Sequence, residues 1–267
     1  MSNPSRPTKA ERKNDAREKA RLMREAAERR QRRNRTFLVT GVVVAVLAVV
    51  LGIGVVIKTA GGNDPTTTAG APQGVTDTGG VVTGKADAPV TVSVYLDYQC
   101  PACKAFEAAS GEYLQQQQDA GVVKLETHPI AILDRFSGGT EYSTRSASAA
   151  FCVAEQAPEA FTTFTREMFA NQPPENASGL TDDKVATIAT LAGAPESVQS
   201  CIEDGTYRDF VTASTEQASK DGLTGTPWVK VNGTVVENAM QPEVLQAAIS
   251  KAASAAGSTS TGSPTNS

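Results

Sequence analysis

Hydrophobic and polar positions alternate in two different patterns between residues 87 and 253. Val90–Leu96 is a run of β-branched, aromatic and apolar residues, which predicts a buried strand, and the range 122–132 contains a second predicted strand. Between them, a helix is predicted to begin at Cys100 or Pro101, because proline is tolerated at the first position of a helix. The region therefore begins as strand, helix and strand, which is the start of an α/β core.

The middle of this region is helical, and its end returns to strand. Helical patterns occupy, in order, 143–171 with a break near Pro158, 181–192, 195–203 and 207–221. Residues 228–236 predict a hairpin that turns at Asn232 and Gly233, and 241–253 predicts a closing helix. The predicted fold class is α/β, with an inserted α-helical domain at about 137–215.

A basic segment and an uncharged run precede this region. Residues 1–35 carry 13 Lys/Arg and 5 Asp/Glu, whereas the rest of the chain carries 12 and 24. Phe37–Ile57 has 21 residues without a charge, enough to span the roughly 30 Å hydrocarbon core of a bilayer. We predict a cytoplasmic basic helical segment at 1–35 and a single transmembrane anchor at 36–58, because Lys/Arg-rich flanks stay in the cytoplasm. The remaining chain is then extracytoplasmic.

A cleaved signal peptide is the alternative interpretation of this N-terminal region. The basic segment is long for a signal peptide, and the apolar run exceeds the usual length of about 7–15 residues. The sequence after Lys58 is a weak match to a cleavage site, so an uncleaved signal-anchor is favoured. A topology signal also explains the basic residues with fewer assumptions than nucleic-acid binding does, and no nucleic-acid partner is predicted.

Two further segments are rich in small and polar residues and lack a long apolar period. Residues 59–86 are predicted to form a flexible linker, and residues 254–267 a disordered tail. They leave 87–253 as the one predicted globular domain.

The four cysteines form two pairs with different spacing. Cys100 and Cys103 enclose Pro101 and Ala102 at the predicted junction of a strand and a helix. A cysteine at a helix N-terminus faces unpaired backbone N–H groups and the positive end of the helix dipole, which both favour the thiolate. The thiolate is the species that attacks a disulfide, so we predict that Cys100 is the nucleophile and Cys103 the resolving thiol.

The second pair, Cys152 and Cys201, lies in the helical block and not at a predicted helix start. A structural disulfide is the economical interpretation, because secreted proteins seldom leave thiols free, and a second redox couple is the alternative. Zinc binding by the C-x-x-C pair would need four ligands, and the single histidine, His128, completes the set poorly. We therefore predict neither a metal nor a cofactor. His128 is interpreted as a structural polar residue near the end of the second strand rather than as an acid–base catalyst.

Two of these motifs resemble a known family. Ala88–Cys103 resembles the active-site strand and helix start of the DsbA-like thioredoxin family, and Gly225–Val229 resembles its cis-proline segment. The resemblance covers about residues 75–253, and the anchor and second cysteine pair are most similar to actinobacterial members. It implies a thioredoxin fold with a cis bond between Thr226 and Pro227, placed so that Thr226 offers backbone groups to an extended substrate.

The resemblance also implies a function. The implied function is that of an extracytoplasmic thiol–disulfide oxidoreductase. The leading hypothesis is a dithiol oxidase, in which the Cys100–Cys103 disulfide accepts two electrons from reduced exported proteins. A quinone-linked membrane reoxidase, similar to vitamin K epoxide reductase (VKOR) or to DsbB, would then restore the disulfide. The alternatives are a membrane-tethered reductase or isomerase, and a non-catalytic thioredoxin-like substrate-binding module.

The chain departs from the family pattern at two positions. Many members have a buried acid six residues before the nucleophile, where this chain has Val94, and Asp97 and Glu126 are candidate substitutes. Strongly oxidising members often have histidine where this chain has Ala102. Without that cation the thiolate is less stabilised, which predicts a less oxidising disulfide than in those members.

Overall fold

The computed structural model describes residues 70–260. The segments predicted at 1–35 and 36–58 lie outside these residues. Within the described part of the chain, no helix combines the length and the apolar character that crossing a membrane requires.

One mixed sheet forms the centre of the described region. Its strands are β1 (Val81–Gly84), β2 (Val90–Leu96), β3 (Val123–Pro129), β4 (Trp228–Val231) and β5 (Thr234–Val235). Their order across the sheet is β1-β3-β2-β4-β5. β2 and β3 are parallel, and the other neighbours are antiparallel. This arrangement puts β2 in the middle of the sheet, where Val90, Val92 and Val94 are buried.

The helices of the described region follow the predicted order. They are α1 (Pro101–Asp119), α2 (Tyr142–Gln156), α3 (Phe161–Ala170), α4 (Asp182–Leu191), α5 (Val198–Glu203), α6 (Arg208–Lys220) and α7 (Pro242–Ser260). Short 3-10 turns lie at Asp134–Phe136 and Pro158–Ala160. α1 connects the parallel strands β2 and β3, and α2 to α6 form a helical insertion before β4. The predicted α/β core with a helical insertion is confirmed.

α1 joins the active-site region to the core of the protein. Its residue before the first turn, Cys100, has extended backbone angles (φ −75°, ψ 118°), and Pro101 occupies the first turn. The buried positions recur every three or four residues, at Cys103, Phe106, Ser110, Leu114 and Gln118. This spacing puts one stripe of the helix against the interior and fixes Cys103 at the buried start of that stripe.

The helical insertion contains the second cysteine pair. Cys152 on α2 is bonded to Cys201 on α5, and both residues are buried. α2 is the most buried helix of the insertion, with eleven buried residues among its fifteen. The disulfide therefore ties a short peripheral helix to the central helix of the insertion.

Two predicted boundaries are wrong. The linker predicted at 59–86 includes β1, which pairs with the edge of β3, and Val75 makes a further bridge to Val81. A strand of four residues is too short to show a period, and the hydrogen bonds that define it come from a partner distant in sequence. The tail predicted at 254–267 is also partly structured, since α7 continues to Ser260. Alanine is the best helix former, and six alanines between Ala247 and Ala256 favour a helix that continues into the predicted tail.

His128 is buried at the end of β3. Its ring stacks on Tyr95 with 4.0 Å between the centroids, and its Nδ1 lies 3.2 Å from the carbonyl oxygen of Thr78. Burial lowers the pKa of His128 to about 4, so the ring is neutral at pH 7. These contacts are those of a structural residue, which is the interpretation of His128 that the sequence favours.

Candidate active site

Cys100 and Cys103 meet at the N-terminus of α1 as two free, buried thiols. The carbonyl oxygen of Cys100 accepts hydrogen bonds from the N–H groups of Cys103 (3.1 Å) and Lys104 (3.2 Å). The backbone N–H groups of Ala102 and Cys103 also face the Sγ atom of Cys100, which lies beside the first turn of the helix.

The cis-proline segment reaches the cysteines because of the register of the sheet. β4 runs antiparallel to β2, and its first residue, Trp228, lies opposite Tyr95. The preceding Thr226–Pro227 bond is cis, as the resemblance implies. The Cys100 thiol is then 3.4 Å from the carbonyl oxygen of Thr226, and the structure thus brings together two motifs that are 126 residues apart.

Asp97 anchors the turn that leads into the site. Its Oδ1 accepts from the N–H of Gln99 at 2.9 Å, and its Oδ2 accepts from those of Ile132 and Leu133 at 2.9 and 3.0 Å. Burial raises the pKa of Asp97 to about 6, against the effect of these hydrogen bonds. The carboxylate thus holds the turn before Cys100 against the loop after β3. The other candidate acid, Glu126, accepts instead from the Ser93 hydroxyl at 3.1 Å.

Gln172, which follows α3, is a residue of the site that sequence reasoning missed. Its Nε2 donates to the carbonyl oxygens of Tyr98 (2.8 Å) and Cys100 (2.9 Å). Tyr98 is itself buried in the helical insertion, where its hydroxyl lies 3.0 Å from that of Thr165. The insertion therefore holds the active-site turn through side chains that carry no motif, and only their positions in the folded protein reveal them.

The two cysteines have opposite electrostatic environments. The pKa of Cys100 is lowered to about 6, mainly by a hydrogen bond from the Cys103 thiol and against the effect of burial. Thr226 and the N–H groups of Cys103 and Ala102 lower it further. The Thr226 hydroxyl is buried without a partner among the described residues, so it is available to donate to a thiolate. Burial raises the pKa of Cys103, which makes it the protonated member of the pair.

This difference predicts a selective alkylation of the reduced protein. Iodoacetamide should label Cys100 with a rate that rises with pH around a midpoint of about 6, since the thiolate is the reacting form. Below pH 6 the thiol dominates and the reaction fades. Mass mapping should place the label on Cys100 and leave Cys103 unmodified.

The matched control is C103A, which removes the main hydrogen-bond donor to Cys100. Its midpoint should shift upward, toward that of an ordinary cysteine near 8.5. A wild-type midpoint above 8, or the same midpoint in both proteins, would contradict this account of Cys100.

Comparisons with known proteins agree with this geometry. Residues 76–251 match the family described as Thioredoxin. The reduced disulfide bond oxidoreductase DsbG from Mycobacterium tuberculosis is 31% identical, with a TM-score of 0.59 over 69% of this chain and 95% of that one. Oxidised BdbD from Bacillus subtilis is 27% identical, with a TM-score of 0.58 over 69% and 97% of the two chains.

A further relative is a larger protein. The serine/threonine-protein kinase PknE of Mycobacterium tuberculosis is 31% identical over 174 residues, which are 62% of this chain. The chain spans less than a third of the length of that kinase, since the match covers 31% of it.

Fold and site together define a thiol–disulfide oxidoreductase with a thioredoxin fold. The chain belongs to the DsbA-like thioredoxin family.

Proposed function

We propose that this protein is an extracytoplasmic dithiol oxidase that introduces disulfides into exported proteins through Cys100 and Cys103. The observation that carries the proposal is the contrast between the two thiols. The pKa of Cys100 is lowered to about 6, which stabilises the reduced protein through its thiolate. A disulfide whose reduced form is stabilised in this way is a better oxidant.

The reaction follows from the positions of the two sulfur atoms. A substrate thiolate attacks Cys100 Sγ, the Cys100–Cys103 bond breaks, and Cys103 leaves and takes up a proton. A second substrate thiolate then attacks the mixed disulfide and releases Cys100 as a thiolate. The substrate loses two electrons and gains a disulfide, while the protein keeps the two electrons as a dithiol. Thr226 and Pro227 border Cys100 and are proposed to bind the substrate backbone as an extended strand.

The proposed location and partner depend on the N-terminal sequence. The basic segment at 1–35 and the uncharged run within 36–58 support a single-pass anchor with the cytoplasmic end first. A domain held beside the bilayer would encounter substrates as they emerge. A quinone-linked membrane reoxidase, VKOR- or DsbB-like, would accept its two electrons and close the cycle.

The test is to mix the oxidised full-length protein with a reduced, unfolded protein and count thiols. We expect about one substrate disulfide for each molecule of oxidised protein, with the Cys100–Cys103 pair recovered as a dithiol. The control is protein reduced and alkylated on Cys100, which should oxidise nothing.

The alternative functions give different results in the same assay. A reductase would lower the number of disulfides in a scrambled substrate, and an isomerase would rearrange them. Neither would oxidise a reduced substrate. A binding module would retain the substrate and leave all of its thiols intact. Either result would contradict the oxidase.

A further inference from the structure

The peptide between Cys100 and Pro101 can be held only through its carbonyl oxygen, because proline has no N–H group. That oxygen accepts from the N–H groups of Cys103 and Lys104 at 3.1 and 3.2 Å, and from the Nε2 atom of Gln172 at 2.9 Å. The first two bonds belong to the active-site helix, and the third and shortest comes from the helical insertion. Gln172 therefore contacts the backbone of the nucleophile directly, from outside its helix.

The position of the Gln172 amide is fixed by its neighbours. Its backbone N–H donates to the carbonyl oxygen of Phe169 at 3.2 Å, which continues the last turn of α3. Pro173 follows, and a residue before proline is restricted to extended backbone angles. The second bond of the side chain, to the carbonyl oxygen of Tyr98 at 2.8 Å, fixes its direction, since both acceptors require the amide nitrogen. The amide thus reaches the active-site turn with little freedom left to lose.

The turn before Cys100 is held from two sides. Asp97 binds it to the loop after β3. On the other side, Tyr98 is fully buried, and its ring packs against that of Phe169 on α3 with 5.3 Å between the centroids. Gln172 bonds the backbone on this second side. Of these side-chain contacts, the one from Gln172 reaches Cys100 itself.

The thiolate of Cys100 depends on the exact position of its sulfur atom. Against burial, its pKa is lowered by hydrogen bonds from the Cys103 thiol, from Thr226 and from the N–H groups of Cys103 and Ala102. No charged side chain of the described region is among these causes. Hydrogen bonds weaken steeply with distance and angle, whereas the attraction of a charge falls slowly with distance. A small displacement of the Cys100 backbone would therefore weaken several of these bonds at once.

We propose that Gln172 is a positioning residue for thiol–disulfide exchange, which holds the Cys100 carbonyl so that the sulfur atom stays beside Thr226 and the first turn of α1. This inference rests on the proposed role of Cys100 as the nucleophile but holds for either direction of electron flow. Without the amide, the peptide between Cys100 and Pro101 is free to turn, and the thiolate loses part of its hydrogen bonding. The helical insertion thus contributes to the reactivity of cysteines that it does not contain.

The test replaces Gln172 by methionine, which has a similar length but no donor, in the full-length protein. Iodoacetamide labels the reduced protein over a range of pH, and mass mapping locates the label. We expect the midpoint for Cys100 to rise from about 6 to about 7 in Q172M, which corresponds to the loss of roughly one hydrogen bond. At about pH 9 Cys100 should react at least as fast as in the wild type, because a thiolate of higher pKa is the stronger nucleophile. Cys103 should stay unlabelled, which shows that the site remains folded.

The matched control is Q116M. It makes the same substitution at an exposed glutamine of α1, whose amide donates to Glu112 within that helix. Both variants retain Asp97, whose pKa is also about 6, so the titration of that carboxyl group does not contribute to the difference between them. We expect Q116M to have the midpoint of the wild type.

The equilibrium with glutathione is a readout that a merely structural contact would leave unchanged. Two glutathione molecules reduce the Cys100–Cys103 disulfide to a dithiol and become one molecule of oxidised glutathione. If the midpoint moves from about 6 to about 7, the equilibrium constant for this reduction should fall about fivefold at pH 7, since the thiolate stabilises the reduced protein less. At about pH 5 the thiol dominates in both proteins, and their equilibrium constants should converge. Q172M is then the less oxidising protein at neutral pH.

Q172N keeps an amide on a side chain that is one carbon shorter, and it should give a smaller upward shift of the midpoint. It carries the test if Q172M does not give the folded circular dichroism spectrum of the wild type. An unchanged midpoint or an unchanged glutathione equilibrium at pH 7 in the folded variant, or an equal change in Q116M, would overturn the positioning role. Neither measurement needs a protein substrate, so failure of the oxidase assay alone leaves this test readable.

Discussion

Replacing Cys100 by serine should abolish thiol–disulfide exchange, whereas replacing Cys103 by serine should arrest it with the substrate still attached. In C103S the first exchange proceeds, since Cys100 keeps its place at the helix N-terminus beside Thr226. With a substrate that has one cysteine, neither a second substrate thiol nor Cys103 can resolve the mixed disulfide, because a serine hydroxyl does not attack a disulfide. We expect its lifetime to increase by at least about 100-fold, because resolution then needs a thiol from solution in place of one held beside the bond.

The experiment activates the single active-site thiol of each variant with Ellman's reagent and adds a reduced, unfolded protein that has one cysteine. C103S should give a covalent complex on a non-reducing gel, and dithiothreitol should separate it. C100S retains only the buried Cys103, whose raised pKa and burial should prevent both activation and complex formation. The double variant C100S/C103S is the background control. A complex that forms equally well through Cys103 would reverse the assigned roles.

The parts of this site that could be predicted are those whose structure is determined by a short stretch of sequence. β2 and the start of α1 follow from a short apolar run and from a proline after a cysteine, and their observed bounds agree with the prediction. The cysteine pair could be recognised because its chemistry depends on a spacing of three residues at a helix start. The cis-proline segment was found only through the family resemblance, since sequence order alone does not place Thr226 beside Cys100.

The rest of the site depends on contacts between distant segments. Gln172 belongs to no sequence motif, because its role is to donate hydrogen bonds to two carbonyl groups that approach it only in the folded chain. Asp97 was a candidate proton shuttle, but three backbone N–H groups give it a positioning role. Which polar side chains become buried is decided by the packing of the whole fold, so the local sequence does not predict it.

Removing the second disulfide should destabilise the protein without stopping its chemistry. Cys152 and Cys201 are separated by 49 residues, and in the chain-entropy model closing such a loop stabilises the fold by about 4 kcal/mol. For a domain of this size, C152A/C201A should lower the melting temperature by roughly 8–16 °C. The measurement is thermal unfolding followed by circular dichroism, with wild type held under the same non-reducing conditions.

The same variant decides between a structural disulfide and a second redox couple. The structural interpretation expects C152A/C201A to react with dithiothreitol at 25 °C within about twofold of the wild-type rate while it remains folded, because the exchange of Cys100 and Cys103 does not pass through the insertion. If the pair is a second redox couple, the variant should instead lose multiple-turnover oxidation, whatever the change in its melting temperature. The first outcome is favoured because Cys152 and Cys201 lie within their helices and not at a helix N-terminus, where a thiolate would be stabilised. Lost turnover in a variant that remains folded at 25 °C would identify the pair as a second redox couple.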